Sequence, residues 1–213
     1  MTPADWSAVW LSVQVALAAT ALAAAPCVAL GWWLARTRAR WAPVVEFAVL
    51  LPLVLPPVVT GYALLVVLPR GLTFTVWAAV LASVVVGVPL FVQLAKLGFE
   101  SVPAETVDAA RVDGASAWDV VRRVAAPLAT PGVLAGAVLH FARGLGEFGA
   151  TLVVAGNVPG QTQTLPLALY TQLQRADGEA VSVRLAVVAV ALAALSLGAS
   201  RWLIHWWSPG SRP

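Results

Sequence analysis

The chain has 213 residues, of which 60% are hydrophobic and only 11% are charged, and its formal net charge is +3. An ordinary soluble domain has roughly 25% charged residues, so this composition could hardly cover a water-exposed surface and excludes that class. We therefore expect a membrane protein, and the single cysteine, Cys27, excludes a disulfide within the chain.

Long uncharged segments predict the membrane spans, because about 20 apolar residues cross a hydrocarbon core. The segments predict five spanning helices, over 6–35, 47–69, 71–95, 124–142 with an extension toward 154, and 185–204. A sixth span over 151–173 is not expected, because that stretch is rich in proline and polar residues. The first segment is not expected to be a signal peptide, because no basic residue precedes it.

The second predicted span contains several prolines, in LPLVLPPVVTGYALLV at 51–66. Proline has no backbone N–H and interrupts the hydrogen bonds of a helix. Such a break is tolerated in a membrane where neighbouring helices or a cavity satisfy the freed groups. The sequence therefore predicts a broken second span.

Basic residues are distributed unevenly between the two sides that five alternating spans define. Three of them, Arg70, Arg175 and Arg184, fall on one side. Nine fall on the other: Arg36, Arg38, Arg40, Lys96, Arg111, Arg122, Arg123, Arg201 and Arg212. This excess predicts that the amino end is outside and that the carboxyl end and the 96–123 loop are cytoplasmic. Tryptophans support this orientation, because nine of the ten, including Trp206 and Trp207, fall at predicted span ends.

The loop between the third and fourth predicted spans has the longest charged stretch, DAARVDGASAWDVVRRVAAP at 108–127. Pro103 is suited to the start of a helix. Gly114 is suited to a bend, and Ser116 can cap a second helix in an imperfect capping box with Asp119. The loop is therefore predicted to be a helix, a glycine bend and a second helix that ends before Pro127.

The second helix of this loop would place Trp118, Val121 and Ala125 on one face. Two interpretations are compatible with an exposed tryptophan here. Trp118 could lie on the lipid headgroups, where interfacial tryptophan is common. It could instead anchor a soluble partner, since tryptophan and arginine are favoured in such interfaces.

The spacing of the loop resembles the cytoplasmic motif of type I ABC importer permeases: Glu-Ala-Ala, three residues, Gly, nine residues, Ile, one residue, Leu-Pro. The chain has Asp108-Ala109-Ala110, Gly114, Val124 and Ala126-Pro127 at the same intervals, with Asp, Val and Ala replacing Glu, Ile and Leu. The resemblance implies that the loop inserts into a cleft of an ATP-hydrolysing subunit and transmits its movement. It assigns ATPase coupling to Asp108, Ala109, Ala110, Gly114, Trp118, Arg122 and Pro127.

The end of the fourth predicted span carries two charges among glycines, in FARGLGEFGA at 141–150. Arg143 and Glu147 are four residues apart, which places them on one face of a helix. Ionisable residues at membrane depth indicate a pathway or a buried helix contact, and glycines permit close helix approach. The alternative places both charges at the outer headgroup boundary. The predicted pathway or gate comprises Arg143, Gly146, Glu147, Gly149 and Asn157.

Two stretches resemble molybdate permeases in particular: LPLVLPPVVTGY at 51–62 and ARGLGEFGATLVVAGNVPGQTQTLPLALYT at 142–171. Sulfate permeases share the Leu-Gly-Glu-Phe-Gly portion, so the resemblance implies a tetrahedral oxyanion, molybdate first, with tungstate or sulfate as alternatives. It implies an all-α integral membrane protein with the type I ABC importer permease fold, in the bacterial or archaeal cytoplasmic membrane. Its transmembrane domain would cover 8–206, and its cytoplasmic coupling loop 96–127.

The resemblance also implies the partners. They are a second permease copy in a homodimer, two ATP-binding cassette subunits, an extracytoplasmic oxyanion-binding protein and the lipid bilayer, with no nucleic acid. The chain is expected to be a transport subunit without enzymatic activity, cofactor or metal, and ATP and magnesium would bind the partner subunit. The residues agree, because the only lysine, Lys96, does not lie in a phosphate-binding G-x-x-x-x-G-K loop.

Two other classes remain as alternatives. A membrane-embedded enzyme would need convergent ionisable residues within the spans, and only His140, Arg143 and Glu147 are near one another. A lone secondary transporter usually has inverted repeats, which five spans do not display. A zinc site is not expected, because His140 and His205 are far apart. We expect His140, within the fourth span, to line a cavity.

Overall fold

The computed structural model describes the backbone of residues 2–207 and their side chains except those of 200 and 203–207. Arg212 and the side chains of His205, Trp206 and Trp207, which the sequence places at the inner face, lie outside the described residues. The helices within the described range are α1 (Pro3–Arg36), α2 (Ala42–Val54), α3 (Pro57–Val67), α4 (Val76–Glu100), α5 (Ala104–Val112), α6 (Ala117–Asp119), α7 (Ala126–Leu145), α8 (Gly149–Ala155), α9 (Leu165–Leu173) and α10 (Glu179–Trp207). A π-helical turn, Val120–Ala125, joins α6 to α7. The prediction of an all-α protein is confirmed.

Among the described residues, four helical segments are long and apolar enough to cross a membrane: α1, α4, the continuous helix Ala117–Leu145, and α10. The pair α2 and α3 meets the same test only when taken together, and the two helices are bent by 112°. The bend falls at Leu55 and Pro56, which are extended because each precedes a proline. The break predicted in the second span is therefore confirmed, and the count of four to five agrees with the five predicted spans.

Small residues bring α1, α4 and α7 close together. A Cβ on Gly132 of α7 would lie 2.6 Å from the Cα of Gly98 in α4. A Cβ on Gly31 of α1 would lie 2.8 Å from the Cβ of Ala95 in α4. Close packing of this kind is a main source of helix association in a membrane, where lipid is as apolar as the side chains. The most enclosed of the candidate spans is α4, which is therefore the centre of the bundle.

Two predicted helix ends are wrong. The helix that begins at Ala117 does not stop before Pro127 but continues into α7. The π-helical turn makes this possible, because Ala126 N–H bonds the carbonyl of Val121, five residues back, and a wider turn relieves the usual clash of a proline ring. The fourth span does not extend toward 154 either, since α7 ends at Leu145 and α8 begins separately at Gly149.

Candidate functional site

The charged loop contains two helices joined by a tight turn, as the sequence predicts. Gly114 has φ = 86°, in the left-handed region that favours glycine. The N–H of Ala115 bonds the carbonyl of Ala110, which closes α5 with a Schellman-type cap. Ser116 then caps the next helix, because its hydroxyl oxygen accepts the N–H of Asp119 at 3.1 Å. We call residues 101–125, between α4 and α7, the coupling segment.

Most of the residues predicted to contact an ATPase are displayed on the surface of the coupling segment, but Ala110 is half-buried and Pro127 lies in α7. Asp108 and Ala109 are exposed, and Asp108 pairs with Arg111 at 3.4 Å, also in an exposed position. Trp118 is 69% exposed. Exposed apolar side chains on a charged surface suit a protein interface. Trp118 and Arg122 also border a groove between α1 and α7. Asp108 and Gly114 do not line this groove.

The coupling segment is attached to the membrane helices through an apolar cluster and an arginine. Val107 and Val120 are buried against Phe99, at the end of α4. Arg36, at the end of α1, donates from Nη2 to the carbonyl of Phe99 at 3.2 Å and to that of Val102 at 3.5 Å. A cation at the end of a helix is favoured by the helix dipole. Arg36 therefore holds the junction between α4 and the coupling segment.

Sequence reasoning missed this role of Arg36, which entered only the count of basic residues. Its guanidinium also lies over the ring of Trp32, 5.2 Å from the ring centroid, and Trp32 contacts Phe99 edge-on at a centroid distance of 5.2 Å. The carbonyls that Arg36 reaches are more than sixty residues away along the chain. No local pattern could indicate such a contact.

A second polar contact that the sequence did not indicate lies between α2 and α4. Lys96 Nζ is 2.7 Å from Glu46 Oε1, and Gln93 Nε2 donates to the same oxygen at 2.9 Å. Both charged side chains are partly buried. Because α2 has no fully buried residue of its own, this polar contact adds to the packing of Ala42, Val45 and Val49 against α1 and α4 in attaching α2 to the bundle.

Arg143 and Glu147 form an ion pair at the corner between α7 and α8. Arg143 Nη1 lies 2.8 Å from Glu147 Oε2, and their side chains are 29% and 1% exposed. The interaction is Coulombic, because Oε2 receives no well-directed hydrogen bond. The predicted contact is present, but Glu147 does not share a helical face with Arg143, since α7 ends at Leu145. Glu147 is therefore a buried helix contact, and the depth of the pair, within the membrane or at the outer headgroup boundary, stays a prediction.

Glu147 also caps α8. Its Oε1 accepts the backbone N–H of Ala150 at 2.8 Å, which satisfies one of the donors left free at the start of a helix. The carboxylate thus contacts the last turn of α7 through Arg143 and the first turn of α8 through Ala150. Gly146 ends α7, with its N–H bonded to the carbonyl of Gly144. The corner is therefore fixed at both of its helices.

The next helix, α8, lies directly on α3. A Cβ on Gly61 of α3 would come within 2.7 Å of the Cα of Ala150, and a Cβ on Gly149 would come within 3.0 Å of the Cβ of Pro57. Only glycine allows the two backbones to approach this closely. The bent pair α2–α3 is thereby linked to the Arg143–Glu147 corner.

Asn157 lies in the loop after α8 and belongs to a hydrogen-bond network. Its Nδ2 donates to Thr171 Oγ1 at 2.9 Å, and its Oδ1 accepts from Gln163 Nε2 at 2.9 Å. The network attaches the loop to α9, on which Thr171 lies. The structure thus gives Asn157 contacts with the loop and with α9 rather than with Arg143 or Glu147, and its role in a gate stays a prediction.

The expectation that His140 lines a cavity is wrong. The side chain is fully buried, and its Nδ1 lies 3.0 Å from Thr20 Oγ1 of α1. A Cβ on Gly87 of α4 would lie 2.5 Å from the ring, so α4 packs directly against it. His140 therefore occupies the contact among α1, α4 and α7. Within the described part of the chain, no three His, Cys, Asp or Glu side chains are grouped as a metal site would require.

Comparison with known proteins gives matches over most of the chain. The sequence profile described as "Binding-protein-dependent transport system inner membrane component" matches residues 27–207. The chain is 40% identical over 217 residues to "Molybdenum transport system permease protein ModB" of Escherichia coli strain K12, covering 95% of each chain. It is 42% identical over 211 residues to the protein of the same description from Haemophilus influenzae, covering 92% of each.

Among solved structures, the chain resembles a subunit of the inward-facing MetNI methionine ABC transporter. The TM-score is 0.82, with 98% of this chain and 100% of that chain covered. The sequence identity is 19%, so this similarity establishes the fold and carries nothing about the transported molecule. It confirms the type I ABC importer permease fold that the coupling motif implied.

Proposed function

We propose that this chain is the subunit through which molybdate crosses the cytoplasmic membrane. The chain belongs to the family of binding-protein-dependent transport system inner membrane components. The observation that carries this proposal is the similarity, from end to end, to two molybdenum transport permeases. Tungstate and sulfate are the competing cargoes, because both are tetrahedral oxyanions of the same charge.

The chain works with partners, since members of this family combine with ATP-binding and substrate-binding proteins. We propose two copies of this chain, two ATP-binding cassette subunits and one extracytoplasmic oxyanion-binding protein. ATP and magnesium would bind the cassette subunits, and the chain itself would supply no catalytic residue and no cofactor site. Its exposed coupling segment, with Asp108, Trp118 and Gly114, provides the surface that the cassette subunit would grip.

The contacts of the structure suggest how movement reaches the pathway. The coupling segment is continuous with α7, whose 20 residues span about 30 Å. At the far end of α7, Arg143 and Glu147 connect it to α8, and α8 lies on α3 through Gly61 and Gly149. A displacement of the coupling segment by ATP binding would therefore move α7, α8 and α3 together. We propose that α3 and α8 form the gate that this movement opens and closes.

Uptake in cells that lack their own molybdate permease tests the proposed cargo. Expression of the chain with its own cassette and binding proteins should restore uptake of radiolabelled molybdate. Excess unlabelled sulfate should leave that uptake intact, and tungstate should compete with it. Uptake that sulfate abolishes would instead assign the chain to sulfate. Uptake that persists with a cassette subunit unable to hydrolyse ATP would favour a secondary transporter.

A further inference from the structure

The groove between α1 and α7 has the form of a lipid site. It has a volume of about 710 Å³, within the range of roughly 300–1,000 Å³ that ligand sites occupy. One wall contains Val28 and Ala29 of α1, the other contains Val133 and Ala137 of α7, and Phe91 of α4 lies at its base. Along α7 the lining runs from position 126 to 137, or about 16 Å at the rise of a helix.

One end of this groove is polar and aromatic. Trp32 of α1 lies there, together with Trp118 and Arg122 of the coupling segment. Within the described range of the chain Arg122 is in no hydrogen bond or ion pair, and the nearby Asp119 is paired with Arg123 at 3.2 Å. The rest of the lining is apolar, so Arg122 provides a single cation at the mouth of a long hydrocarbon-like slot. A tryptophan such as Trp32 at this position is typical of the membrane–water interface.

We propose that this groove binds one acyl chain of an anionic phospholipid of the cytoplasmic leaflet, with the lipid phosphate on Arg122. This proposal depends on the proposed function in one respect, which is the orientation of the chain in the membrane. That orientation places Arg122 at the cytoplasmic leaflet. Basic pockets between membrane helices on that side are suited to anionic headgroups. The bound lipid would hold the π-helical turn Val120–Ala125 against α1, at the place where the coupling segment becomes α7.

A second copy of the chain is a less suitable occupant. The exposed apolar faces that it could insert lie mainly on α1, α2, α3 and α10. Within the described parts of α3 and α10 the one carboxylate is Glu179, at the opposite end of α10 from the predicted cytoplasmic side, and Asp5 of α1 is buried near the amino end. Glu46 of α2 is already bound to Lys96. A lipid phosphate matches the charge of Arg122, and these helix faces do not.

Photo-crosslinking with a lipid of known structure tests the site. The whole complex of the chain with its cassette subunits is placed in nanodiscs of phosphatidylcholine that contain a little phosphatidylglycerol with a photoreactive acyl chain. Labelled peptides are then identified by mass spectrometry. We expect labelling on the groove walls of α1 and α7, and we expect unlabelled phosphatidylglycerol to compete for it.

Two matched pairs of variants separate the headgroup from the acyl chain. Arg122→Gln should lower the labelling about fivefold, whereas Arg38→Gln, which removes the same charge from an exposed position outside the groove, should not. Ala29→Phe should fill the groove and remove the labelling without changing any charge. Ala21→Phe, on an exposed part of α1 outside the groove, should have no effect.

Several results would overturn the proposal. Equal loss in both arginine variants, or equal labelling by a photoreactive phosphatidylcholine, would remove the role of Arg122. Retention of groove labelling in Ala29→Phe would place the lipid elsewhere. Crosslinks from these positions to a second copy would show that the groove is an interface. Molybdate uptake is measured separately, so a failure of the lipid site leaves the proposed function intact.

Discussion

Arg143 and Glu147 are joined across the corner between α7 and α8, with Nη1 and Oε2 2.8 Å apart, while the other carboxylate oxygen accepts the N–H of Ala150. The pair thus links two helices rather than two turns of one helix. Neutralising Arg143 alone would leave a buried carboxylate without its counter-charge. The free energy of unfolding should therefore fall. The loss should be somewhat smaller than the roughly 3–5 kcal/mol for removing one partner of a fully buried pair, because Arg143 is 29% exposed.

The first prediction is that Arg143→Met and Glu147→Gln each reduce molybdate uptake more than the double variant does. The double variant removes both charges, and the glutamine oxygen can still accept the N–H of Ala150. Uptake per amount of membrane protein is the measurement. If the double variant is as inactive as Arg143→Met at a normal protein level, Arg143 contacts the anion and the structural role is wrong.

The second prediction concerns Gly114, whose φ of 86° a side chain tolerates poorly. A Cβ there would meet nothing within 4 Å, so a substitution acts through the backbone alone. Gly114→Leu should cost about 1–2 kcal/mol in the turn, and Gly114→Asn should cost less, because asparagine visits the left-handed region. ATP hydrolysis stimulated by the binding protein should fall in the leucine variant and largely survive in the asparagine variant. Equal, undiminished stimulation in both would show that this turn does not couple the subunits.

The third prediction is that Arg36 positions the junction between α4 and the coupling segment. Arg36→Gln should lower stimulated ATP hydrolysis several-fold while the complex assembles normally and basal hydrolysis persists. Arg38→Gln is the matched control, because Arg38 is exposed two residues away. Arg36→Lys should restore part of the stimulation, since it keeps the charge but not the planar fork. A parallel fall in assembly and basal hydrolysis would indicate a role in folding only.

The fourth prediction concerns the crossing of α4 and α7. Gly132→Val should destabilise the chain by about 1–3 kcal/mol, because its Cβ would overlap the backbone of Gly98, which cannot rotate away. Gly198→Val should be neutral, since nothing lies within 4 Å of a Cβ at that position. Thermal unfolding in detergent and the level of protein in the membrane measure both. Similar unfolding temperatures for the two variants would contradict the close contact.

The fifth prediction is the orientation, which the distribution of basic residues indicates. Val112 is 88% exposed and lies on the predicted cytoplasmic side, whereas Gln161 is exposed in the loop after α8 on the predicted outer side. With Cys27 replaced by alanine, an impermeant thiol reagent applied to whole cells should label Gln161→Cys and miss Val112→Cys. The reverse pattern would overturn the orientation.

Much of the architecture could be predicted because it depends on local chemistry. Uncharged length indicates a span, since a helix must cover the hydrocarbon thickness with apolar side chains. Consecutive prolines at 56 and 57 predict a break, because each removes a donor and forces the preceding residue to be extended. The turn at Gly114 and the cap at Ser116 are also matters of a few neighbouring residues. For this reason the helix–bend–helix of the coupling segment was predictable as well.

What only the tertiary structure decided is which distant groups meet. Arg36 reaches the carbonyl of Phe99, Lys96 reaches Glu46, and His140 is enclosed between α1 and α4 instead of lining a cavity. These contacts depend on where the helices cross, and the crossings are set by small residues whose partners lie far away in the sequence. The break between α7 and α8 is by contrast a local feature that the sequence analysis did not recognise, since Glu147 caps α8 through Ala150, three residues on. The sequence by itself thus determined the spans and the coupling turn, and the packing of α1, α4 and α7 decided the contacts among them.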